Sequence, residues 1–267
     1  MSTAATLAEH LEPLRSDPAH SAVLLDVDGV LAPIVRHADD AHVPEPTRVP
    51  LIAVAKRYGL VACITGRRAT TARRIVSLGS ITYVGNHGAE LLRGGATEVE
   101  LDPEVAAWSQ RIAEWAERAW NERLDRLRVR AEDKDVIRAY HWRGAPDEAS
   151  AEAEVRKLAE RAEQDGFVVH WGRKVLEVRP PVALNKGRGV ERLLGETDMT
   201  AAMYVGDDNT DVDAFESLRR LTAEGRLQTG LCVGVRSDET PRELEDQADL
   251  LVDGPHGVRT LLSALAA

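Results

Sequence analysis

Ala22-Val-Leu-Leu-Asp26 is a short, wholly apolar run halted by an acid. A run of that length without polar alternation fits a strand buried on both faces, as in a parallel sheet. Leu60 to Ile64 repeats the pattern and stops at Thr65-Gly66-Arg67, and Ile81 to Val84 repeats it again. Between these runs, Pro46 to Tyr58 carries Val49, Ile52 and Ala53 at helical spacing and stops at Gly59. Thr70 to Leu78 reads as a second helix, stopping at Gly79. Further on, Lys186 to Leu194 is a helix, Ala202 to Val205 a strand running into Gly206-Asp207-Asp208, and Thr210 to Leu221 a helix. Leu231 to Val235 and Leu250 to Val252 are strands, and Pro255 to Ala266 is a closing helix. This rhythm predicts a doubly wound α/β core with a mainly parallel sheet.

The middle of the chain breaks the rhythm. Ala89-Glu-Leu-Leu and Glu98-Val-Glu-Leu flank Arg93-Gly94-Gly95, a hairpin signature. Pro103 to Leu127 reads as one long amphipathic helix, with Val105, Trp108, Ile112 and Trp115 on its apolar stripe. Two strand-like runs follow, Arg128 to Glu132 and Val136 to Trp142. A charged helix then covers Asp147 to Asp165, and a hairpin around Gly172 joins Phe167–Trp171 to Lys174–Val178. Helix, hairpin, helix, hairpin is an αββαββ repeat, closed by Pro180-Pro181. The expected organisation is a core from residues 1–101 and 183–267, split by an inserted α+β domain over 102–182.

With 267 residues the chain is long enough for buried cores without disulfides. Its formal charge of −10 gives no electrostatic footprint for nucleic acid or an anionic membrane. No apolar run is long enough to cross a bilayer, and the N-terminus lacks the basic and apolar regions of a secretory signal. Cys63 and Cys232 each lie in an apolar strand-like run, which fits two buried thiols in a reducing cytoplasm better than a disulfide or metal site. A cytoplasmic monomer is expected.

Chemistry gathers where strands end, the place at which open α/β sheets bind ligands. Asp26-Val-Asp28-Gly29 puts two carboxylates at i and i+2, and like charges that close call for a cation or a proton. An ordinary Asp-Gly exit turn is the competing reading. Gly206-Asp-Asp-Asn-Thr-Asp211 supplies three more acids, of which a helix cap needs one. Oxygen-only ligands favour Mg²⁺ over zinc. Thr65-Gly66-Arg67 offers a hydroxyl and backbone N–H groups that suit a phosphate, or a plain N-cap. Lys186 stands at a helix start, where the dipole disfavours it unless an anion is near; a surface lysine is the alternative.

The order of these pieces resembles the haloacid dehalogenase superfamily of phosphotransferases. Asp26-Val-Asp-Gly-Val-Leu-Ala-Pro-Ile34, Gly85-Asn-His-Gly-Ala-Glu90, Lys174-Val-Leu-Glu-Val-Arg-Pro180, Asn185-Lys-Gly187 and Gly206 to Phe215 narrow the resemblance to the trehalose-6-phosphate phosphatases. It covers about Ala22 to Phe215. The chain departs from that family at Val30, where Thr is usual, and at Val212, where Glu is usual.

The resemblance implies a phosphatase acting on a sugar phosphate, with Mg²⁺ as cofactor. Asp26 would be the nucleophile, forming an aspartyl phosphate, and Asp28 the general acid and base. Thr65 and Lys186 would hold the transferring phosphoryl group. Asp26, the Asp28 backbone carbonyl and Asp207 would hold the metal, with Asp208 and Asp211 near. Arg67, Asn86 and His87 in the core are implied substrate contacts. The inserted domain would be a cap closing over the site, with Glu132, Lys134, His141, Arg143, Glu177 and Arg179 contacting the sugar. A solvated turn equally explains Glu132 and Lys134, and a wet strand face equally explains Glu177 and Arg179. Trp108 and Trp115 read as core of the inserted domain. Other readings stay open: the same chemistry on another phosphorylated disaccharide, such as sucrose phosphate or a glucosyl-phosphoglycerate; a phosphoacceptor domain; or a silent sugar-phosphate-binding regulator.

Overall fold

The computed structural model describes residues 3–35, 40–238 and 240–267. The chain divides into two compact units, Met1–Glu100 with Leu184–Ala267, and Leu101–Ala183.

The first unit is built on strands β1 (Ser21–Leu25), β2 (Leu60–Ile64), β3 (Thr82–Gly85) and β4 (Glu90–Leu92). With them run β10 (Ala201–Gly206), β11 (Thr229–Arg236) and β12 (Leu250–Asp253). The two-residue β5 (Glu100–Leu101) completes an eight-stranded sheet in the order β12-β11-β10-β1-β2-β3-β4-β5. Pairing is parallel from β12 to β3 and turns antiparallel at β3–β4.

Alternate side chains of the parallel strands feed two different cores, because a strand points successive residues to opposite faces. Val23 and Leu25 of β1 join Val61, Cys63, Met203 and Val205. That face is covered by helices α1 (Thr3–Ser16), α2 (Glu45–Arg57), α3 (Ala69–Val76) and α10 (Gly254–Ala266), through Leu14, Leu51, Ile75 and Leu262 among others. Ala22 and Leu24 face the other way, with Ala62, Ile64, Ala202 and Tyr204. Helices α7 (Lys186–Gly195), α8 (Asn209–Ala223) and α9 (Arg242–Gln247) close that side with Val190, Phe215 and Leu244. The central strands β1, β2 and β10 are therefore runs of buried, mostly apolar residues, and Asp26, Thr65 and Asp207 follow directly at their carboxyl ends. Truncating a side chain such as Leu24, which is fully buried, would cost about 2–5 kcal/mol. Helices α1 and α9 carry no signal strong enough to have been read from the sequence.

The second unit is a four-stranded antiparallel sheet, β6 (Arg130–Asp133), β7 (Arg138–His141), β9 (Val175–Arg179) and β8 (Val168–Gly172), in the order β6-β7-β9-β8. Three helices belong to it: α4 (Pro103–Ala119), α5 (Glu122–Arg126) and α6 (Glu148–Gln164). The single helix expected over Pro103 to Leu127 is two. Trp120 leaves helical geometry at ψ 142°, and the Asn121 side chain accepts from Arg123 N and Leu124 N to start a new helix. A run of apolar positions cannot reveal that break; the Asn cap makes it. The second hairpin also differs from expectation. Gly172 is a strand residue, and the left-handed position is Lys174 at φ +63°. Trp115 is buried against Phe167, with Trp108 packed partly buried on the same ring, so both tryptophans are core. No helix among the described residues is long and apolar enough to cross a membrane.

Candidate active site

The centre of the site follows from the β1–β10 pairing. The Asp26 N–H donates to Val205 O at 2.9 Å, one step beyond the last strand residue, and so sets Asp26 beside Gly206-Asp207. Gly29 (φ +80°) then turns the chain hard against Asp207; a Cβ there would stand 2.0 Å from Asp207 Oδ2. Only glycine permits both that φ and that approach. The result is a buried group of carboxylates, Asp26, Asp207 and Asp211, with ligand oxygens all within 4.8 Å of one another.

Lys186 is the one cation in direct contact with this group among the described residues, and it is 2% exposed. Asn185 caps α7, accepting from Arg188 N at 2.8 Å, and leaves Lys186 on the first turn. Its Nζ lies 3.0 Å from Asp26 Oδ2, 2.7 Å from Asp211 Oδ1 and 3.6 Å from Asp208 Oδ1. The anion that its position at a helix start called for is thus three carboxylates. Burial pulls the ammonium's pKa down, but Asp211, Asp26 and Asp208 outweigh it and hold the pKa well above the usual lysine value.

The acids have different duties. Asp211 receives four donors: Lys186 Nζ, the Tyr204 hydroxyl at 2.6 Å, and the N–H groups of Asp207 at 2.9 Å and Asp208 at 3.0 Å. Its lone pairs are all used, so it organises the loop. Burial pushes its pKa up, while Lys186 and the hydrogen bonds from Lys186 and Tyr204 pull against that shift. Asp208 caps α8, accepting from Thr210 N at 2.8 Å and the Thr210 hydroxyl at 2.6 Å, and lies outside the buried group. It is the acid that serves as helix cap. Asp207 is the unmatched one. Its Oδ1 is buried without a hydrogen-bond partner, and burial together with Asp211 and Asp208 pushes its pKa up to about 8. Burial likewise raises Asp26, against the pull of Lys186. Three carboxylates, one lysine and an orphaned oxygen make an all-oxygen site that fits a hard divalent cation.

Asp28 is not part of that group. Its carboxylate is gripped by Arg67, Nε to Oδ2 at 2.6 Å and Nη2 to Oδ1 at 2.7 Å. Thr65 is 1% exposed and does not cap α3; its hydroxyl accepts from Arg67 N at 3.2 Å. The Thr65–Arg67 loop is laced to the next one by His87 N to Thr65 O at 3.1 Å and Asn86 N to Arg67 O at 2.8 Å. Buried Glu90 clamps both, accepting from Ala69 N at 2.7 Å and Asn86 Nδ2 at 2.7 Å. Asn86 therefore braces the loop through its side chain. The His87 ring lies over Gly66, 2.7 Å from where a Cβ would be.

In the second unit, Glu177 is buried and takes Lys134 Nζ at 2.8 Å and Arg179 Nε at 3.0 Å. The side chains of Lys134, Arg179 and Glu177 are only 10–13% exposed, so neither a solvated turn nor a wet strand face describes them. Glu132 pairs with His141 at 2.9 Å, and that hydrogen bond holds its carboxyl below the usual range against the effect of burial. Glu132, Ala139, Glu177 and His170 form one row across the four strands. Arg143 does not bond to that cluster; its guanidinium donates to Arg173 O at 3.0 Å. Tyr204 and Glu90 carry no role in the sequence reading. A lone hydroxyl inside an otherwise apolar strand is the signal for Tyr204, since a buried Tyr O–H needs a partner.

A mainly parallel sheet with carboxylates gathered at the ends of β1 and β10 is the arrangement of the haloacid dehalogenase-like hydrolases. A structure of a trehalose-6-phosphate phosphatase C-terminal domain from Candida albicans superposes with a TM-score of 0.72 at 21% identity, covering 99% of this chain and 97% of that one. A trehalose-6-phosphate phosphatase related protein superposes at 0.71 with 23% identity, over 92% and 96% of the two chains. The family model described as Trehalose-phosphatase matches residues 24–252, and the chain belongs to that family. A protein of Sinorhizobium fredii named a probable trehalose-phosphate phosphatase is 33% identical over 82% of each chain. A Mycobacterium tuberculosis protein named an uncharacterized glycosyl hydrolase is 31% identical over 92% of this chain, which spans only 18% of that protein.

Proposed function

We propose that this chain hydrolyses trehalose 6-phosphate to trehalose and phosphate through an aspartyl-phosphate intermediate, with Mg²⁺ as cofactor. The observation that carries the reading is Asp26 seated on Lys186 beside the unmatched Asp207 Oδ1. Asp26 and Asp207, with the Asp28 carbonyl, would hold the metal, whose charge lets a carboxylate approach a phosphate dianion. Phosphoryl transfer needs positioning and charge neutralisation above all. Asp26 attacks phosphorus, and Lys186 stabilises charge on both the nucleophile and the phosphoryl oxygens. Thr65 offers its hydroxyl to the phosphoryl group.

Asp28 delivers a proton to the leaving sugar oxygen and later takes one from water. It can do so once Arg67 lets go of its carboxylate, and a substrate phosphate is the natural competitor for that guanidinium fork. His87 and Asn86 shape the floor of this loop. In the second unit, the Lys134–Glu177–Arg179 cluster and the Glu132–His141 pair supply donors and acceptors suited to sugar hydroxyls.

Val30 and Val212 lie in the two apolar clusters flanking the sheet, both buried. The departures from the family pattern therefore put packed apolar side chains where that pattern has a hydroxyl and a carboxylate. Cys63 and Cys232 are buried free thiols, which fits a reducing cytoplasm.

Phosphate release measured over trehalose 6-phosphate, sucrose phosphate, a glucosyl-phosphoglycerate and glucose 6-phosphate tests the reading, with Mg²⁺ and with chelator. Selective, chelator-sensitive turnover of trehalose 6-phosphate is expected. Preference for another disaccharide phosphate would reassign the substrate, and turnover that survives chelation would remove the metal.

A further inference from the structure

Three helices of this chain end in the same hydrogen-bonded turn, and one of them ends in it at a cost. After α6, Gly166 N donates to Glu163 O and Phe167 N to Ala162 O, with Gly166 at φ +84°. After α8, Gly225 N donates to Thr222 O and Arg226 N to Leu221 O, with Gly225 at φ +74°. After α5, Arg128 N donates to Asp125 O and Val129 N to Leu124 O, with Arg128 at φ +59°. The left-handed residue of such a turn is ordinarily glycine, because any Cβ is strained there. Where the second αββ half of the small unit has Gly166-Phe167-Val168, the first has Arg128-Val129-Arg130. A strained residue kept against an easy alternative points to a use.

Arg128, Arg130 and Arg143 line one cavity of about 380 Å³, with Asp125 as its acid. Arg128 and Arg130 have no side-chain hydrogen bond or ion pair among the described residues. Arg143 donates to the carbonyl of Arg173 and lies in the field of the Glu148 carboxylate, which Gly144 N–H holds nearby. Asp125 is already engaged by Trp120 Nε1 at 3.2 Å. Three arginines against Asp125 and the nearby Glu148 leave the cavity with a surplus of positive charge, and planar guanidinium forks match phosphate oxygens. Arg130 pairs with His141, at the opposite end of the β6–β7 hairpin from the turn bearing Lys134. A bare tetrahedral oxyanion would leave most of this volume empty, whereas it falls in the range of small-ligand pockets.

We propose that the small unit carries a second anion site, formed by Arg128, Arg130 and Arg143, that takes a phosphorylated sugar of monosaccharide size. It is separate from the Lys134–Glu177–Arg179 cluster and does not rest on the phosphatase reading. Glucose 6-phosphate, glucose and sulfate are the probes, titrated onto the full chain in chelator and followed by calorimetry and hydrogen exchange. Glucose 6-phosphate should protect segments 125–130 and 142–144, glucose should not bind, and sulfate should bind at least about tenfold more weakly. Arg128→Gly, which relieves the strained φ, and Arg130→Gln, on an exposed strand position, keep the fold. Each should weaken glucose 6-phosphate about tenfold, as expected for a lost charge-assisted fork, and the pair should abolish that protection. Unchanged binding in the double variant overturns the site. So does protection confined to the larger unit, or protection extending equally to the segments bearing Lys134 and Glu177. Sulfate binding as tightly as the sugar phosphate overturns the ligand class.

Discussion

The two charge clusters of this protein are balanced differently. In the larger unit, Asp26, Asp207 and Asp211 share Lys186, so carboxylates outnumber the cation and Asp207 Oδ1 is left without a partner. In the smaller unit, Glu177 holds both Lys134 and Arg179, and Lys134 also acts on Glu132, which pairs with His141, so each acid has a cation beside it. A buried site with surplus carboxylate is incomplete until a cation arrives. One whose acids and cations are matched offers donors and acceptors to hydroxyl groups as it stands. On the proposed reading the first neutralises charge in the reaction and the second recognises the sugar.

The sharpest way to break that contrast is Asp26→Asn. Loss of turnover by at least about a thousand-fold with an unchanged circular-dichroism spectrum is expected; a smaller loss would take the nucleophile away from the acidic cluster. Lys186→Met comes next. Removing the shared cation from buried acids should destabilise the fold by about 3–5 kcal/mol in denaturant titrations. A cost near zero would mean that the carboxylates do not rely on it.

Mg²⁺ should raise the melting temperature, worth about 2.7 kcal/mol at a hundred times its Kd, and Asp207→Asn should remove most of that gain. The pH dependence in chelator tests the same surplus. Asp207 is pushed up to about 8 in the fold, above the ordinary 3.8. Between those values the folded protein keeps a proton that the unfolded chain releases, so metal-free stability falls as pH rises from about 4 to about 8. Mg²⁺ should flatten that slope, and a slope of the opposite sign would put the orphaned oxygen in doubt. The smallest effect belongs to the Lys134–Glu177–Arg179 cluster. Glu177→Gln should raise KM about tenfold while leaving kcat within about twofold, and an equal fall in kcat would move that cluster into the chemistry.

The α/β core was legible because its central parallel strands are runs of mostly apolar residues, so the polar residue that follows each run marks the strand's end, where the candidate site lies. Asp26, Thr65 and Asp207 were found that way. The division of labour among the acids was not legible. Asp208 and Asp211 look alike in Gly206-Asp-Asp-Asn-Thr-Asp211, yet one caps a helix and the other collects four donors. Nor could spacing separate Asp26 from Asp28, which point to Lys186 and to Arg67. The break between α4 and α5 was hidden because Asn121 caps through its side chain inside an otherwise helical pattern.

The sequence by itself determined the sheet, the residues at its strand ends and the family, because apolar periodicity and short motifs are local properties of the chain. Tertiary structure alone decided which carboxylate is left without a partner, which lysine is buried and which arginines converge on one cavity. Those are balances of charge and burial among residues that lie far apart in sequence, such as Asp26, Lys186 and Asp211, and only the folded backbone brings them within bonding distance.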